Sequence, residues 1–219
     1  MVLTEDLGKI AEMAVCLRFD TPYQGNFRYE MARAEALVPR LETLPTLFPL
    51  CRHTARRGAR YDFTGVDDET KHLSVKTSKR RVAKVAPQLL GQATPVAFCE
   101  RVGVPYTTDR ELKEYMQSHI LELLPALEEH TFDCPNLYYN EERNVMKFIT
   151  RLKPLLWTER VPTWTCSAQD WNNSSTLKLD GVSILEVQFH SRSRKNLAIR
   201  WFYDAVLEMF SDNFHVQDL

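Results

Sequence analysis

The sequence predicts an α/β protein, because segments with helical period and segments with strand period alternate along its 219 residues. Residues 4–17 repeat apolar side chains at helical spacing behind Thr4, which can cap a helix. Residues 60–77 and 175–190 instead alternate apolar and polar side chains around a turn, which is typical of hairpins. This length favours one substantial core, so we predict a single domain over residues 1–219.

The composition is that of an ordinary globular protein, with 44% hydrophobic and 26% charged residues. No apolar run approaches the ~18 residues that a membrane span needs, and Glu5 and Asp6 do not suit a signal sequence. We therefore expect a cytoplasmic protein with no membrane association. The five cysteines contain no C-x-x-C pair and predict reduced, mostly buried thiols.

Further helices are predicted over residues 29–44, 108–129 and 199–210, where apolar residues recur at helical spacing. Pro39 and Pro125 are expected to kink the first and second of these. Residues 144–156 are compatible with a short helix or a strand.

The hairpin over residues 60–77 carries the main chemical signal. Its alternation places Asp62 and Lys76 on the same face near the same end, if the two strands pair antiparallel. A carboxylate beside an ammonium suits metal-assisted chemistry on a phosphate, although an ordinary cross-strand ion pair would use the same residues. From Arg52 to Lys84 there are ten Lys or Arg against four Asp or Glu, in a chain of net charge -1, so positive charge is concentrated around this hairpin.

Asp62 followed by Ser74-Val-Lys76 resembles the core of the PD-(D/E)XK nucleases, and the setting resembles a type II restriction endonuclease. Two positions depart from the family pattern: Tyr61 stands where the family often has Pro, and Ser74 where it usually has Asp or Glu. The resemblance implies a mixed central sheet flanked by helices, a restriction-endonuclease-like fold. It also implies that Asp62 binds Mg²⁺ and that Lys76 orients or activates the attacking water.

In such nucleases an acidic residue from an early helix often joins the metal site. Glu12 is the first candidate here, with Glu30 and then Glu35 as alternatives, and an exposed helix carboxylate remains the other interpretation of Glu12. The resemblance thus implies a catalytic set of Asp62, Ser74, Lys76 and Glu12, with Asp62 and Glu12 as metal ligands. Because a hydroxyl is a weaker metal ligand than a carboxylate, Ser74 limits the site to one tight metal unless another group supplies the charge.

Three segments are predicted to contact DNA, near residues 52–60, 79–92 and 186–196. Guanidinium groups can hold phosphates, glutamine can hydrogen-bond adenine, and a bidentate arginine can bind guanine. A solvated surface is the alternative for each of them. The candidate residues are Arg56, Arg57, Gln88, Gln92, Gln188, His190, Arg192 and Arg194.

The second hairpin offers a rival active site. Glu186-Val-Gln188 resembles the Glu-x-Gln variant of a few restriction endonucleases, and Asp180 is then the first carboxylate. We rank it second, because glutamine cannot act as a cation and Asp180-Gly181 is a turn sequence favoured for conformational reasons.

The sequence therefore predicts a magnesium-dependent type II restriction endonuclease that cuts double-stranded DNA at a short palindromic site as a homodimer, with no small-molecule cofactor beyond the metal. Two alternatives stay open. One is a non-catalytic DNA-binding module with a degraded nuclease site, which the Ser74 departure favours. The other is a structure-specific repair nuclease.

Overall fold

The structure is a computed structural model and describes residues 4–56, 59–190 and 195–219. The α-helices of these residues are α1 (Thr4–Arg18), α2 (Met31–Glu35), α3 (Leu44–Leu47), α4 (Pro95–Val102), α5 (Asp109–Ser118), α6 (Ile120–Phe132) and α7 (Tyr203–Met209). The strands are β1 (Cys51–His53), β2 (Phe63–Gly65), β3 (His72–Ser78), β4 (Lys84–Val85), β5 (Gln92–Ala93), β6 (Asn136–Asn140), β7 (Val145–Arg151), β8 (Pro162–Trp164), β9 (Ser174–Leu179), β10 (Val182–His190), β11 (Asn196–Phe202) and β12 (Phe214–Asp218).

The chain divides into two compact units, and neither is a continuous stretch of sequence. Unit 1 comprises Met1–Ala83, Cys134–Leu152 and Phe214–Leu219, and unit 2 comprises Lys84–Asp133 and Lys153–Asn213. The single domain over residues 1–219 stays a prediction.

Unit 1 is built on a mixed sheet of order β1-β2-β3-β6-β7-β12, in which β3 and β6 run parallel. Helix α1 packs against β3, where Gly8 faces Thr77. Its buried residues, among them Leu7, Ile10 and Ala14, form a core with apolar side chains of the sheet. The predicted α/β class, with a mixed central sheet flanked by helices, is confirmed.

Unit 2 holds an antiparallel sheet of order β4-β11-β10-β9-β8, with β5 paired to β11. Aromatic side chains fill its core: Trp157 stacks on Trp201 with ring centroids 5.6 Å apart, and Trp171 meets Phe189 edge to face. The buried Glu128 carboxylate accepts hydrogen bonds from the indole N–H of Trp157 and the backbone N–H of Leu155, so these polar groups are satisfied inside the core.

Three predicted helices differ in the structure. Residues 29–44 break into α2 and a 3-10 helix, Val38–Leu41, because Pro39 cannot continue the α-helical hydrogen bonds. The predicted helix over residues 108–129 is two helices, α5 and α6, that meet at His119. Residues 199–202 belong to strand β11 and only then does α7 begin, because pairing with β10 and β4 outweighs the local helical pattern.

The two predicted hairpins are confirmed as β2–β3 and β9–β10, with Asp180 and Gly181 both at positive φ in the second turn. All five cysteines are free, and every one except the half-buried Cys166 is buried. Burial raises the pKa of the Cys16 and Cys51 thiols to about 12, so both stay protonated. None of the helices in the described ranges is long and apolar enough to cross a membrane.

Candidate active site

The Asp62 carboxylate is held by the strand opposite it. Asp62 directly precedes β2, and the pairing of Phe63 with Leu73 places Asp62 across from Ser74. Its Oδ2 atom accepts hydrogen bonds from the backbone N–H of Val75 at 2.7 Å and from the Ser74 hydroxyl at 3.1 Å. Two donors on one oxygen restrict the carboxylate to one orientation, so the hairpin itself positions it.

Lys76 lies two residues beyond Ser74 and therefore projects from the same face of β3. The residue is only 8% exposed, on a strand flanked by β2 and β6. Its ammonium is near enough to lower the pKa of the Asp62 carboxyl. The structure thus brings Asp62, Ser74 and Lys76 together, as the alternation of the hairpin predicts.

The environment of Asp62 disfavours its charged form. Burial raises the pKa of this carboxyl, and the negative charge of Glu12 raises it further. The charge of Lys76 and the two hydrogen bonds from Val75 and Ser74 act in the opposite direction but are outweighed. A cation beside Asp62 and Glu12 would relieve their mutual repulsion, so the site is suited to binding positive charge.

Glu12 lies on α1 and is 5% exposed. Its Oε2 atom is 3.0 Å from the Lys9 ammonium and 3.0 Å from His53 Nε2. The two alternatives from the early helices, Glu30 and Glu35, are exposed. Glu12 is therefore the buried member of the three, and its charge acts on Asp62.

Sequence reasoning missed His53. The segment 52–60 reads as a basic loop, whereas Cys51–His53 forms β1, with His53 opposite Phe63. His53 is buried and Arg52 exposed, which is the alternation of a strand with one face against the core. Three residues of alternation are too few to separate a strand from a loop, so no sequence signal was strong enough to find it.

The arginines of the basic segment 52–60 have different partners. Arg52 forms an exposed ion pair with Glu69 at 2.6 Å. Arg56 donates to the Gln24 side chain at 3.4 Å. Arg57 lies outside the described residues, and the phosphate contacts of both predicted arginines stay predictions.

A metal ion would find two carboxylates here, Asp62 and Glu12. Across residues 4–56, 59–190 and 195–219, no three His, Cys, Asp or Glu side chains cluster as a ligand set. Ser74 is fully buried and donates its hydroxyl to Asp62. Its contribution in this structure is therefore to orient the carboxylate.

The predicted DNA-reading residues of unit 2 differ in exposure. Gln92 on β5 and His190 at the end of β10 are exposed, and Gln88 is half-buried. The Gln188 side-chain oxygen accepts a hydrogen bond from Arg200 at 3.2 Å. Arg192 and Arg194 lie outside the described residues. The DNA contacts of this group stay predictions.

The rival carboxylates of unit 2 do not form a pair. Asp180 lies in the turn of the second hairpin and accepts hydrogen bonds from the backbone N–H of Val161 and the Arg160 guanidinium, each at 3.0 Å. Glu186 is farther along β10 and binds Lys84 at 2.8 Å and Arg200 at 3.4 Å. Asp180 lies before β10 and Glu186 is the fifth residue of that strand, so each carboxylate has its own position and its own cationic partners.

Over 219 aligned residues the chain is 36% identical to the type II restriction enzyme CviAII of Paramecium bursaria Chlorella virus 1. The alignment covers 99% of this chain, and the chain spans 63% of the length of that relative. No family model matches the chain, and no solved structure matches it. The chain is thus similar along almost its whole length to a type II restriction enzyme, the class that the pattern around Asp62 and Lys76 predicts.

Proposed function

We propose that this protein is a type II restriction endonuclease, which hydrolyses phosphodiester bonds of double-stranded DNA at a short palindromic site. The observation that carries the proposal is the half-buried Asp62 and the buried Lys76 on one face of the first hairpin, with the Ser74 hydroxyl donating to Asp62. The similarity to a restriction enzyme over 99% of the chain supports the same activity.

The residues present fit a divalent cation such as Mg²⁺. Carboxylate oxygens are its preferred protein ligands, and the half-buried Asp62 and the buried Glu12 are two carboxylates whose charges repel each other. These two residues would hold the ion. When bound, it would polarise the phosphate and favour ionisation of a nearby water.

Lys76 has two tasks in this proposal. Its ammonium orients the attacking water by hydrogen bonding, and its positive charge offsets the negative charge that develops on the phosphate. The water oxygen bonds to phosphorus as the bond to the leaving oxygen breaks. The attacking water gives its proton to solvent, and the leaving oxygen takes one from solvent. Burial of Lys76 strengthens the second effect, because charges interact more strongly away from bulk water.

The DNA-contacting role is assigned to Arg56 and Arg57 and to the segments near residues 79–92 and 186–196. A homodimer matches the two-fold symmetry of a palindromic site and follows from the function alone. A restriction endonuclease acts inside the cell that makes it, and that cell's own recognition sites must then be protected.

The decisive experiment incubates purified protein with unmethylated phage DNA, with Mg²⁺ or with a chelator, and resolves the products on a gel. We expect discrete fragments with Mg²⁺ and intact DNA with the chelator. A smear, or cleavage only at flaps and branches, would instead identify a repair nuclease.

A second candidate is a non-catalytic DNA-binding module, which the hydroxyl of Ser74 at the usual acidic position favours. The same gels separate it from an enzyme. Retarded DNA on a native gel, without cleavage in Mg²⁺ or Mn²⁺, would support the module and exclude the endonuclease.

A further inference from the structure

The imidazole of His53 is held in one tautomer. The backbone N–H of Gln24 donates to His53 Nδ1 at 2.9 Å, so Nδ1 carries a lone pair and no proton. The proton of the neutral ring is then on Nε2, which lies 3.0 Å from Glu12 Oε2. His53 therefore donates a hydrogen bond to the Glu12 carboxylate.

The ring is also fixed in its plane. It stacks on Tyr23 with centroids 4.3 Å apart and packs against Phe63 at 5.1 Å. His53 is 2% exposed, and the pairing of β1 with β2 places it opposite Phe63, the residue directly after Asp62. The strand β2 that follows Asp62 is therefore paired with the strand that carries His53, the residue in contact with Glu12.

From this arrangement we infer that His53 is a positioning residue, which orients Glu12 so that its carboxylate acts together with Asp62 on a divalent cation. The inference rests on the proposed function. The Glu12 side chain has several rotatable bonds. Lys9 contacts its two oxygens at 3.2 and 3.0 Å, but the Lys9 side chain is 35% exposed, so a buried donor adds a contact that solvent does not screen. A fixed N–H donor on a metal-binding carboxylate commonly affects metal affinity by 10–100-fold.

His119 is a second histidine that stacks on a tyrosine, with a backbone carbonyl oxygen near its ring nitrogen. It stacks on Tyr115 at 4.3 Å, the same centroid distance as His53 on Tyr23, and its Nδ1 lies 3.2 Å from the Tyr115 carbonyl oxygen. His119 belongs to unit 2, whereas Asp62 and Glu12 belong to unit 1. Its substitution is therefore a matched control for the loss of a stacked histidine.

The test separates the two nitrogens of His53. His53→Asn keeps an acceptor near Nδ1 and removes the donor to Glu12, whereas His53→Gln keeps an amide N–H near the position of Nε2. Each full-length variant is titrated with Mn²⁺ without DNA and followed by electron paramagnetic resonance. Cleavage is then measured against Mg²⁺ concentration, and thermal unfolding reports the fold.

We expect His53→Asn to weaken Mn²⁺ binding by about tenfold and to raise the Mg²⁺ concentration for half-maximal cleavage in parallel. His53→Gln should remain closer to wild type than to His53→Asn, and His119→Asn should bind Mn²⁺ as wild type does. Wild-type Mn²⁺ affinity in folded His53→Asn, or equal losses in the Asn and Gln variants, would overturn the inference.

Should His53→Asn fail to fold, His53→Met preserves the packed volume, lacks the donor and is expected to show the same weakened binding. Unchanged Mn²⁺ affinity in that variant would overturn the inference as well. The wild-type protein separates failure of the proposed function from failure of the positioning role. If it neither binds Mn²⁺ nor cuts DNA, the proposed function fails. If it does both and the His53 variants bind Mn²⁺ equally well, the positioning role alone is refuted.

Discussion

The two hairpins of the molecule carry similar residues in opposite environments. In the first, β2–β3, burial and the charge of Glu12 raise the pKa of Asp62. In the second, β9–β10, the Val161 N–H and the Arg160 guanidinium lower the pKa of the exposed Asp180. Asp180 is thus stabilised by its neighbours, whereas Asp62 is destabilised by them and is suited to a ligand that is still to bind.

The basic residues of the two hairpins differ in the same way. In the second hairpin Glu186 is bound by Lys84 at 2.8 Å and by Arg200 at 3.4 Å, so its charge is already balanced. In the first, Lys76 faces a site where Asp62 and Glu12 repel each other. Burial and charge balance therefore distinguish the two hairpins, whose sequences look alike.

The largest expected effect comes from Lys76→Ala, which removes the buried cation of the first hairpin. We expect a loss of roughly 10³-fold in the cleavage rate at saturating protein, because charge on the phosphate is no longer offset. Asp62→Ala should behave alike, with both variants folded by circular dichroism. Single-turnover cleavage of a DNA fragment measures the loss.

Glu186→Ala is the comparison for the second hairpin, and it should weaken DNA binding more than the chemical step. Turnover that disappears in Glu186→Ala at saturating protein, together with normal cutting by Lys76→Ala, would mean that the second hairpin is the active site.

A smaller effect is expected from Ser74→Ala. The Ser74 hydroxyl donates to Asp62 at 3.1 Å and lowers the pKa of that carboxyl. Without it the cleavage rate should fall roughly tenfold, the value of one hydrogen bond to a charged group, and the acid limb of the pH–rate profile should move to higher pH. Ser175→Ala, at a buried serine of the second hairpin, is the matched control. An acid limb that does not move would contradict the role of the hydroxyl.

Local patterns predicted the elements that a short stretch of chain determines. Helix α1 and both hairpins follow from periodicity and turn residues, and Asp180-Gly181 takes the positive φ angles that such a turn requires. Strand β11 was missed because residues 199–210 satisfy a helical pattern, whereas pairing with β10 decides the outcome. Partners distant in sequence override local preference, and a single sequence does not contain them.

The sequence likewise predicted those residues of the candidate site that lie on one hairpin, but not those that packing brings together. Asp62, Ser74 and Lys76 lie on one hairpin, so alternation alone brings them to one face. Glu12 came from a resemblance, and its burial required the packing of α1 on the sheet. His53 was not found, because its contact with Glu12 joins residues 41 positions apart and its strand is three residues long.

Asp62→Asn should stabilise the protein when metal is removed by a chelator. Because the folded-state pKa of Asp62 is raised, the folded protein keeps a proton that the unfolded chain has already lost, and wild-type stability falls as pH rises from the ordinary carboxyl range through the raised pKa. Asparagine carries no such charge, so the variant should gain about 1 kcal/mol of unfolding free energy at neutral pH and less in acid. Urea unfolding across pH measures the difference, and a less stable variant at neutral pH would contradict it.

The smallest effect is expected from Asp180→Asn, the matching substitution in the second hairpin. Asparagine tolerates the φ of 51° at this position and can still accept the Val161 N–H, but it loses the hydrogen bond and the charge attraction of Arg160 at the second oxygen. The lowered pKa of Asp180 means that its stabilising contribution is present above the ordinary carboxyl pKa and is lost as pH falls through the lowered value. The unfolding midpoint should therefore decrease slightly at neutral pH, since exposed ion pairs contribute little. Cleavage should stay within about twofold of wild type, and a strong loss of cleavage in a folded Asp180→Asn protein would place catalytic chemistry in the second hairpin.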